Sequence, residues 1–170
     1  MSAAEIKLLV LDVDGVMTDG RIIVDDDGRE SKNFHVHDGS AVFLLRRAGI
    51  ETAIISGRTA RCVEWRARDL KIAECHQGAH DKVAKFEEMR ARLGLAAREC
   101  AFVGDDALDV PLMRHVGLAA APADARLEAK AAAALVTEAR GGHGAVREVA
   151  EAILRARGSW ENLLKEKYGI

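Results

Sequence analysis

The sequence is short of aromatic residues, proline and cysteine. Phe, Trp and Tyr together make up 4% of the 170 residues, and there are two prolines and three cysteines. The cysteines, Cys62, Cys75 and Cys100, are odd in number and form no CxxC pair. This pattern argues against a disulfide framework and favours free thiols in a reducing cytosol.

The sequence also lacks long apolar runs and an excess of one charge. No stretch approaches the roughly 20 apolar residues that cross a bilayer, and the N-terminus has no signal-peptide core. The formal net charge is −2 with both signs interspersed, so there is no basic footprint for nucleic acid. We therefore expect a cytoplasmic protein, with one domain over residues 1–170, that binds neither membrane nor nucleic acid.

The most informative stretch is residues 6–19, IKLLVLDVDGVMTD. An aliphatic run, typical of a fully buried strand, ends abruptly in Asp12, Asp14 and Gly15. Carboxylates are rarely buried without a partner or a metal, so a pair at the end of a core strand indicates a site. The alternative is an Asx-rich turn in which Gly15 supplies a positive φ.

The rest of the chain alternates predicted strands with predicted helices. This order is typical of an α/β fold with a mostly parallel sheet and helices on both faces. Residues 20–37 predict a protruding β-hairpin around Asp27-Gly28, and residues 40–48 predict a helix after a break at Asp38-Gly39. Residues 158–170 predict a short helix or a loosely docked tail.

Polar residues follow several predicted strands: Asp12 and Asp14, Ser56, Lys82, and the pair at 105–106. Because a parallel sheet gathers its carboxyl ends on one rim, we expect these groups in one crevice. Several carboxylates at close quarters repel one another unless a hard divalent cation lies among them, and Mg²⁺ suits oxygen ligands. The hydroxyl and the ammonium suit an anionic substrate group, above all phosphate.

The four segments DVDGV, IISGR, a following Lys and VGDDALD resemble the motifs of the haloacid dehalogenase-like phosphatases, in the same order. The resemblance implies a Rossmann-like sheet in which Asp12 is the nucleophile that forms an aspartyl-phosphate. It makes Asp14 the acid that protonates the leaving oxygen and then activates water, with Ser56 and Lys82 on the phosphoryl oxygens. The implied cofactor is Mg²⁺, held by Asp12, the Asp14 backbone carbonyl and Asp105.

The intervals between these motifs leave no room for a cap domain over the site. The chain is further similar, over nearly its whole length, to the family of 3-deoxy-D-manno-octulosonate 8-phosphate phosphatases, through FHVHDG, HQGAHDK and GGHGAVREV. That similarity implies a homotetramer in which a neighbouring subunit helps to cover the site, and a role in lipopolysaccharide biosynthesis. The residues it implies for substrate binding are Asp14, His35, Val36, His37, Asp38, Gly39, Gly57, Arg58, Arg66 and Lys82.

The chain departs from that family in the substrate loop. Where the family usually reads FNVRDG, this chain has His35 and His37, and Phe43 stands where a basic residue usually follows. Two charged contacts to an acidic sugar are therefore weakened or made pH-dependent, since histidine in general titrates near neutrality. A phosphatase acting on a nine-carbon 2-keto sugar acid 9-phosphate is therefore an alternative with the same framework.

Three further features of the sequence allow more than one interpretation. Asp106 and Asp109 either orient Lys82 or metal-bound water, or Asp109 is a first-turn helix carboxylate. Gly141, Gly142 and Gly144 form an anion-binding nest or a flexible loop, and the resemblance favours the substrate side. His35 and His37, on one face of a predicted strand, are a weak zinc candidate.

A non-enzymatic phospho-acceptor domain or a retired scaffold is the alternative to an enzyme. Asp14 argues against the phospho-acceptor domain, because a second carboxylate placed to expel a leaving alcohol belongs to an enzyme that turns over. The presence of every motif residue argues against the scaffold that has lost its activity.

Overall fold

A computed structural model describes residues 3–169 and contains a six-stranded parallel sheet, which confirms the predicted α/β class. The strands lie in the order β5-β4-β1-β6-β7-β8. Their bounds are β1 Leu8–Leu11, β4 Glu51–Ile55, β5 Glu74–His76, β6 Cys100–Val103, β7 Leu118–Ala121 and β8 Leu135–Val136. A separate antiparallel pair, β2 Ile23–Val24 and β3 Glu30–Ser31, forms the hairpin.

Strand β1 lies inside the sheet, between β4 and β6, and all four of its residues are fully buried. It pairs in parallel register with β4 on one side and β6 on the other, so that Leu8 lies opposite Glu51 and Cys100. Leu8 and Val10 point to one face of the sheet, and Leu9 and Leu11 point to the other. This alternation divides the hydrophobic core into two layers, as expected when helices cover both faces.

Seven α-helices supply these layers in the described part of the chain. One layer packs α1, α2, α6 and α7 against the sheet, and the other packs α3, α4 and α5. Their bounds are α1 Val36–Arg47, α2 Arg61–Asp69, α3 Lys82–Arg92, α4 Val110–Met113, α5 Leu127–Ala132, α6 Ala145–Ala156 and α7 Trp160–Tyr168. Short 3₁₀ turns lie at Ala3–Glu5, Ala97–Glu99 and Ala107–Asp109.

The predicted boundary between hairpin and helix was wrong. The hairpin strands end at Ser31, and α1 begins at Val36, so Asp38 and Gly39 lie inside its first turns instead of breaking a strand. The alternation of apolar and polar residues in FHVH is typical of a strand, which is why a strand was predicted here. The structure instead has a helix, in which Asp38 lies in the first turn, where a carboxylate is favoured. Gly39 leaves room for the guanidinium of Arg66, which a Cβ at this position would overlap.

The C-terminal segment is a docked helix. Trp160, at the start of α7, is buried, with the guanidinium carbons of Arg147 and Arg155 at 4.8 and 5.2 Å from its ring centroid. Leu163 is also buried, and Lys167 lies 4.9 Å from the Phe43 ring. These contacts hold α7 against α6 and α1. Among the described residues, no helix is long and apolar enough to cross a membrane.

Candidate active site

A crevice of about 300 Å³ opens at the carboxyl ends of β1, β4 and β6. Five of its lining residues are acidic and two are cationic, so it carries an excess of negative charge. The lining residues are Asp12, Asp14, Gly20, Ser56, Gly57, Arg58, Lys82, Asp105, Asp106, Leu108 and Asp109. The structure therefore brings together the residues that the strand-end pattern predicted.

At the base of the crevice lie Asp12, Asp105, Asp109 and Lys82, which we call the acidic cluster. Lys82, the first residue of α3, places its Nζ 3.0 Å from Asp12 Oδ1 and 2.6 Å from Asp109 Oδ1. Asp109 is only 1% exposed, and its Oδ2 accepts the backbone N–H groups of Asp105 and Asp106 at 2.9 and 3.3 Å. Both oxygens of Asp109 are thus engaged in orienting Lys82 and the loop after β6.

Asp12, Asp105 and Asp109 each offer one oxygen within 4.8 Å of the others, and no further cluster of this kind occurs in residues 3–169. Hard oxygen donors at this density suit a divalent cation such as Mg²⁺. Both oxygens of Asp109 already accept hydrogen bonds from protein groups, so Asp12 and Asp105 are the carboxylates better placed as metal ligands. His35 and His37 do not belong to such a cluster, so their proposed zinc role has no third ligand in the described chain.

Crowding of negative charge changes the pKa values of the cluster. Burial raises the pKa of Asp12 to about 6, and the charge of Asp109 adds to the rise while Lys82 opposes it. Burial and the charges of Asp12, Asp109 and Asp106 raise the pKa of Asp105 to about 7. Burial alone would lower the pKa of Lys82, but its two carboxylate partners outweigh burial and raise it. A bound cation would stabilise the ionised carboxylates that this site disfavours.

Gly15 brings the two strand-end loops close together. Its φ is +85°, and a Cβ at this position would overlap the Asp105 carboxylate. The turn predicted for Gly15 is therefore present, and it also allows the loops after β1 and β6 to share one site.

Ser56 and Gly57 complete the crevice from the β4 side. Ser56 is buried, its backbone N–H donates to the His76 carbonyl at 2.9 Å, and its own carbonyl accepts the Ala79 N–H at 3.0 Å. These two hydrogen bonds attach the end of β4 to the segment that leads into α3. They therefore fix the position of Ser56 relative to Lys82, the first residue of α3.

On the other side of Gly15, four residues form a closed set of ion pairs that we call the hairpin ring. The Lys32 ammonium contacts Asp14 Oδ1 and lies 2.6 Å from Glu30 Oε1. Arg58 closes the ring, with Nη2 2.9 Å from Glu30 Oε2 and Nε 3.5 Å from Asp14 Oδ2. Lys32 and Glu30 are functional candidates that the sequence reasoning missed. The available signal was their spacing of two residues within the predicted hairpin, residues 20–37.

The substrate loop predicted at residues 35–39 lies outside the crevice of its own chain. The His35 and His37 rings meet edge to face with centroids 5.0 Å apart, and Val36 is 73% exposed. Asp38 is buried and accepts the backbone N–H groups of Arg147 and Gly144, so it caps the start of α6. Burial raises the Asp38 pKa, although these two hydrogen bonds oppose the rise.

Arg66 and Gly39 also lie away from the crevice. The Arg66 guanidinium lies 5.7 Å from the Phe34 ring and pairs with Asp69 at 2.6 Å. It packs directly beside Gly39 and so joins α2 to α1.

The glycine-rich segment packs behind the Asp14 loop. The N–H of Gly141 donates to Asp124 at 2.9 Å, and the N–H of Gly142 donates to the Val16 carbonyl at 2.9 Å. Gly144 donates to Asp38. Because protein groups already accept these N–H bonds, the segment supports the loop, and the anion-nest interpretation loses its free donors.

Comparison with known proteins gives a consistent result over almost the whole chain. Residues 70–149 match the haloacid dehalogenase-like hydrolase family. The chain is similar to a 3-deoxy-D-manno-octulosonate 8-phosphate phosphatase of Yersinia pestis, with 44% identity over 159 residues. The match covers 94% of this chain and 85% of the relative.

Solved structures of such phosphatases have the same fold. The crystal structure of the Yersinia pestis enzyme gives a TM-score of 0.92 at 44% identity and covers 94% of this chain and 86% of that one. The structure of the Moraxella catarrhalis enzyme in complex with magnesium, phosphate and KDO gives a TM-score of 0.94 at 36% identity. This match covers 96% of this chain and 94% of that one.

Proposed function

The chain belongs to the family of 3-deoxy-D-manno-octulosonate 8-phosphate phosphatases, and on this premise we propose that it hydrolyses that sugar phosphate. The products are the free eight-carbon sugar acid and phosphate, and Mg²⁺ is the cofactor. The observation that carries the proposal is the pair Asp12 and Asp14, which line one crevice together with Ser56 and Lys82. The role is a step in lipopolysaccharide biosynthesis.

In the first chemical step, an oxygen of Asp12 attacks phosphorus and the bond from phosphorus to the sugar oxygen breaks. Asp14 delivers a proton to that oxygen, so the sugar leaves as a neutral alcohol. In the second step Asp14 takes a proton from water, and the water oxygen attacks phosphorus, which breaks the bond from phosphorus to the Asp12 oxygen, releases inorganic phosphate and restores Asp12. Dividing the displacement into two steps is the advantage of covalent catalysis.

Other residues hold the phosphoryl group in line. Lys82 lies 3.0 Å from Asp12, so its ammonium is placed to contact phosphoryl oxygens as the nucleophile attacks. Ser56 supplies a hydroxyl, and Gly57 a backbone N–H, from the same rim. Asp109 holds Lys82, and Asp106 caps the 3₁₀ turn through its hydrogen bond from Ala107. Fixed donors of this kind stabilise charge that develops on the transferring group.

Asp12 and Asp105, together with the Asp14 backbone carbonyl, would hold Mg²⁺. The excess of carboxylates and the raised pKa values of Asp12 and Asp105 support this assignment. When bound, the ion supplies positive charge that neutralises the phosphoryl oxygens during transfer.

The chain acts as a cytoplasmic homotetramer in this proposal. Ile22, Ile23 and Val24 on the hairpin are each more than 40% exposed, and such an apolar edge favours association with another copy. The loop at 35–39 and Arg66, which do not reach their own crevice, would contact substrate bound by a neighbouring subunit. Native mass spectrometry of the wild type and of an Ile22→Lys, Val24→Lys double variant tests this assembly, because the variant should lose the tetramer.

The test of function is phosphate release from a panel of sugar phosphates with Mg²⁺. We expect the eight-carbon acid 8-phosphate to give the highest kcat/KM, and Asp12→Asn to abolish turnover on every substrate. Preference for a nine-carbon 9-phosphate would retain the mechanism but overturn the substrate, with His35, His37 and Phe43 as the residues to exchange. Absence of turnover on any phosphate ester would overturn the enzyme assignment.

A further inference from the structure

We propose that Lys32, carried by the hairpin, is a positioning residue that holds Asp14 in its orientation for proton transfer. This inference rests on the proposed function, because it concerns the role of Asp14 in that reaction. It assigns the hairpin a part in catalysis within its own chain, in addition to the association surface that its apolar residues offer.

The first support is the burial of the Lys32 side chain, which is 1% exposed. A lysine so deep needs anionic partners, and it has two, Asp14 and Glu30. Burial alone would lower the Lys32 pKa, but the carboxylates of Asp14 and Glu30 that pair with the ammonium outweigh burial, and the pKa is raised. The ammonium is therefore charged and fixed in place.

The second support is that the hairpin ring restrains both oxygens of Asp14. Lys32 engages Oδ1, and Arg58 lies 3.5 Å from Oδ2. Glu30 joins the two cations, with one oxygen toward each, and its pKa is lowered chiefly by its pairing with Lys32. Exposed single ion pairs contribute little, but a closed network around a buried ammonium restricts the rotamers of all its members.

The third support is that Lys32 does not line the crevice. Its ammonium faces Asp14 and Glu30, so it acts on the reaction through Asp14 directly, and otherwise only by way of Glu30 and Arg58. Arg58 differs in this respect, because it lines the crevice and is 48% exposed at its side chain. Of the two cations, Lys32 is the one whose role is confined to positioning.

The chemical consequence depends on the leaving group. A sugar alkoxide is a poor leaving group and needs a proton from Asp14, whereas p-nitrophenolate leaves without one. General acid catalysis contributes about 10²- to 10⁴-fold, and a displacement of about 1 Å costs about 10²-fold. A misplaced Asp14 should therefore slow the sugar substrate and spare p-nitrophenyl phosphate in the first step.

The experiment measures the rate of the first step by rapid mixing, for both substrates, in Lys32→Met and wild type. We expect Lys32→Met to lower the rate of the first step about 10²-fold with the sugar phosphate and less than about threefold with p-nitrophenyl phosphate. In steady-state turnover of the sugar phosphate, KM should change less than kcat. Lys32→Arg should restore most of the rate, because it replaces the cation. Lys7→Met is the matched control, since Lys7 is 56% exposed and pairs with Glu99 far from the crevice.

Equal losses on both substrates would overturn the proposal, because they would show that Lys32 supports the fold or the phosphate site instead. An unchanged rate on the sugar phosphate would also overturn it. If Lys32→Met fails to fold, as judged by circular dichroism, Glu30→Gln takes its place and should show a smaller loss with the same substrate selectivity. If the wild type prefers another alkyl phosphate, that ester replaces the sugar and the ratio still tests Lys32, so failure of the substrate assignment remains distinguishable.

Discussion

Two groups of charged residues flank Gly15, and they are built on opposite principles. The acidic cluster sets three carboxylates against one ammonium, whereas the hairpin ring balances two carboxylates with two cations. In the first group the pKa values of Asp12 and Asp105 are raised, and in the second the pKa of Glu30 is lowered. The first group is thus incomplete without a further cation, and the second is complete by itself.

In the proposed mechanism this difference corresponds to two tasks. A site that receives a metal ion and a phosphoryl group must carry unsatisfied charge until they bind. A site that orients an acid needs the opposite, namely partners that remain in place throughout turnover. Gly15 lies between the two groups. It follows Asp14 of the hairpin ring in the chain, and it packs against Asp105 of the acidic cluster.

Apart from loss of the proposed nucleophile Asp12, the largest effect on turnover is expected from removing the single cation of the acidic cluster. Lys82→Met should lower kcat by about 10²- to 10³-fold, because Asp12 loses its partner and the phosphoryl oxygens lose a fixed donor. Steady-state phosphate release measures this loss. Lys85→Met on the same helix is the matched control, since Lys85 pairs with Glu88 at the surface, and this variant should remain near the wild-type rate. A mild effect of Lys82→Met would show that the cluster does not depend on its cation.

A smaller effect on turnover is expected when one substitution disturbs the acidic cluster and the hairpin ring together. A Cβ at Gly141 would overlap the carbonyl of Gly15, so Gly141→Ala must displace the Asp14 loop. We expect about a tenfold loss of kcat and a destabilisation of about 1–3 kcal/mol, measured by turnover and by urea unfolding.

Gly158→Ala provides the comparison for that variant. A Cβ there meets nothing within 4 Å, although its φ of +69° is strained for alanine. It should lose stability but not activity. If both variants lose activity equally, contact between the glycine-rich segment and the Asp14 loop is not the cause.

The smallest effect is a shift in melting temperature with pH. Because the folded pKa values of Asp12 and Asp105, about 6 and about 7, lie above the usual value, the folded protein binds extra protons between about pH 4 and pH 7. Their contribution to metal-free stability is full below that window and is lost as the pH rises through it. Mg²⁺ binds the ionised form, so it should raise Tm by several degrees at pH 8 and by much less at pH 5.5.

Thermal melts in EDTA and in saturating Mg²⁺ at the two pH values measure this shift. Asp105→Asn should remove most of the Mg²⁺-dependent part. A shift of equal size at both pH values would contradict an acidic cluster that becomes complete only with a cation.

The sequence predicted the acidic cluster better than the hairpin ring, and the reason is topological. Asp12, Ser56 and Asp105 each follow a buried strand, and parallel strands bring their ends together whatever the details of packing. Lys32 and Glu30 reach Asp14 only because a short hairpin folds back over the β1 loop. That return depends on tertiary contacts that no local pattern encodes.

The helix start at Val36 is a second instance of tertiary control. Local alternation in FHVH favoured a strand, but the position of Arg66 on α2 and the cap that Asp38 provides for α6 favour a helix. Both contacts join residues distant in sequence. The same helix carries the predicted substrate loop away from the crevice of its own chain. The sequence therefore indicated residues 35–39 and the proposed catalytic aspartates separately, but it could not show where the two sets lie relative to one another.

The most direct test of the account is to trap the covalent intermediate. The wild type would be mixed with the sugar phosphate and Mg²⁺, quenched within one turnover, and reduced with borohydride, which converts a phosphorylated aspartate into homoserine. Tryptic cleavage after Lys7 and Arg21 isolates the segment with Asp12, Asp14 and Asp19, and peptide sequencing locates the reduced residue. We predict homoserine at position 12 alone. Homoserine at another aspartate, or none during active turnover, would contradict Asp12 as the nucleophile.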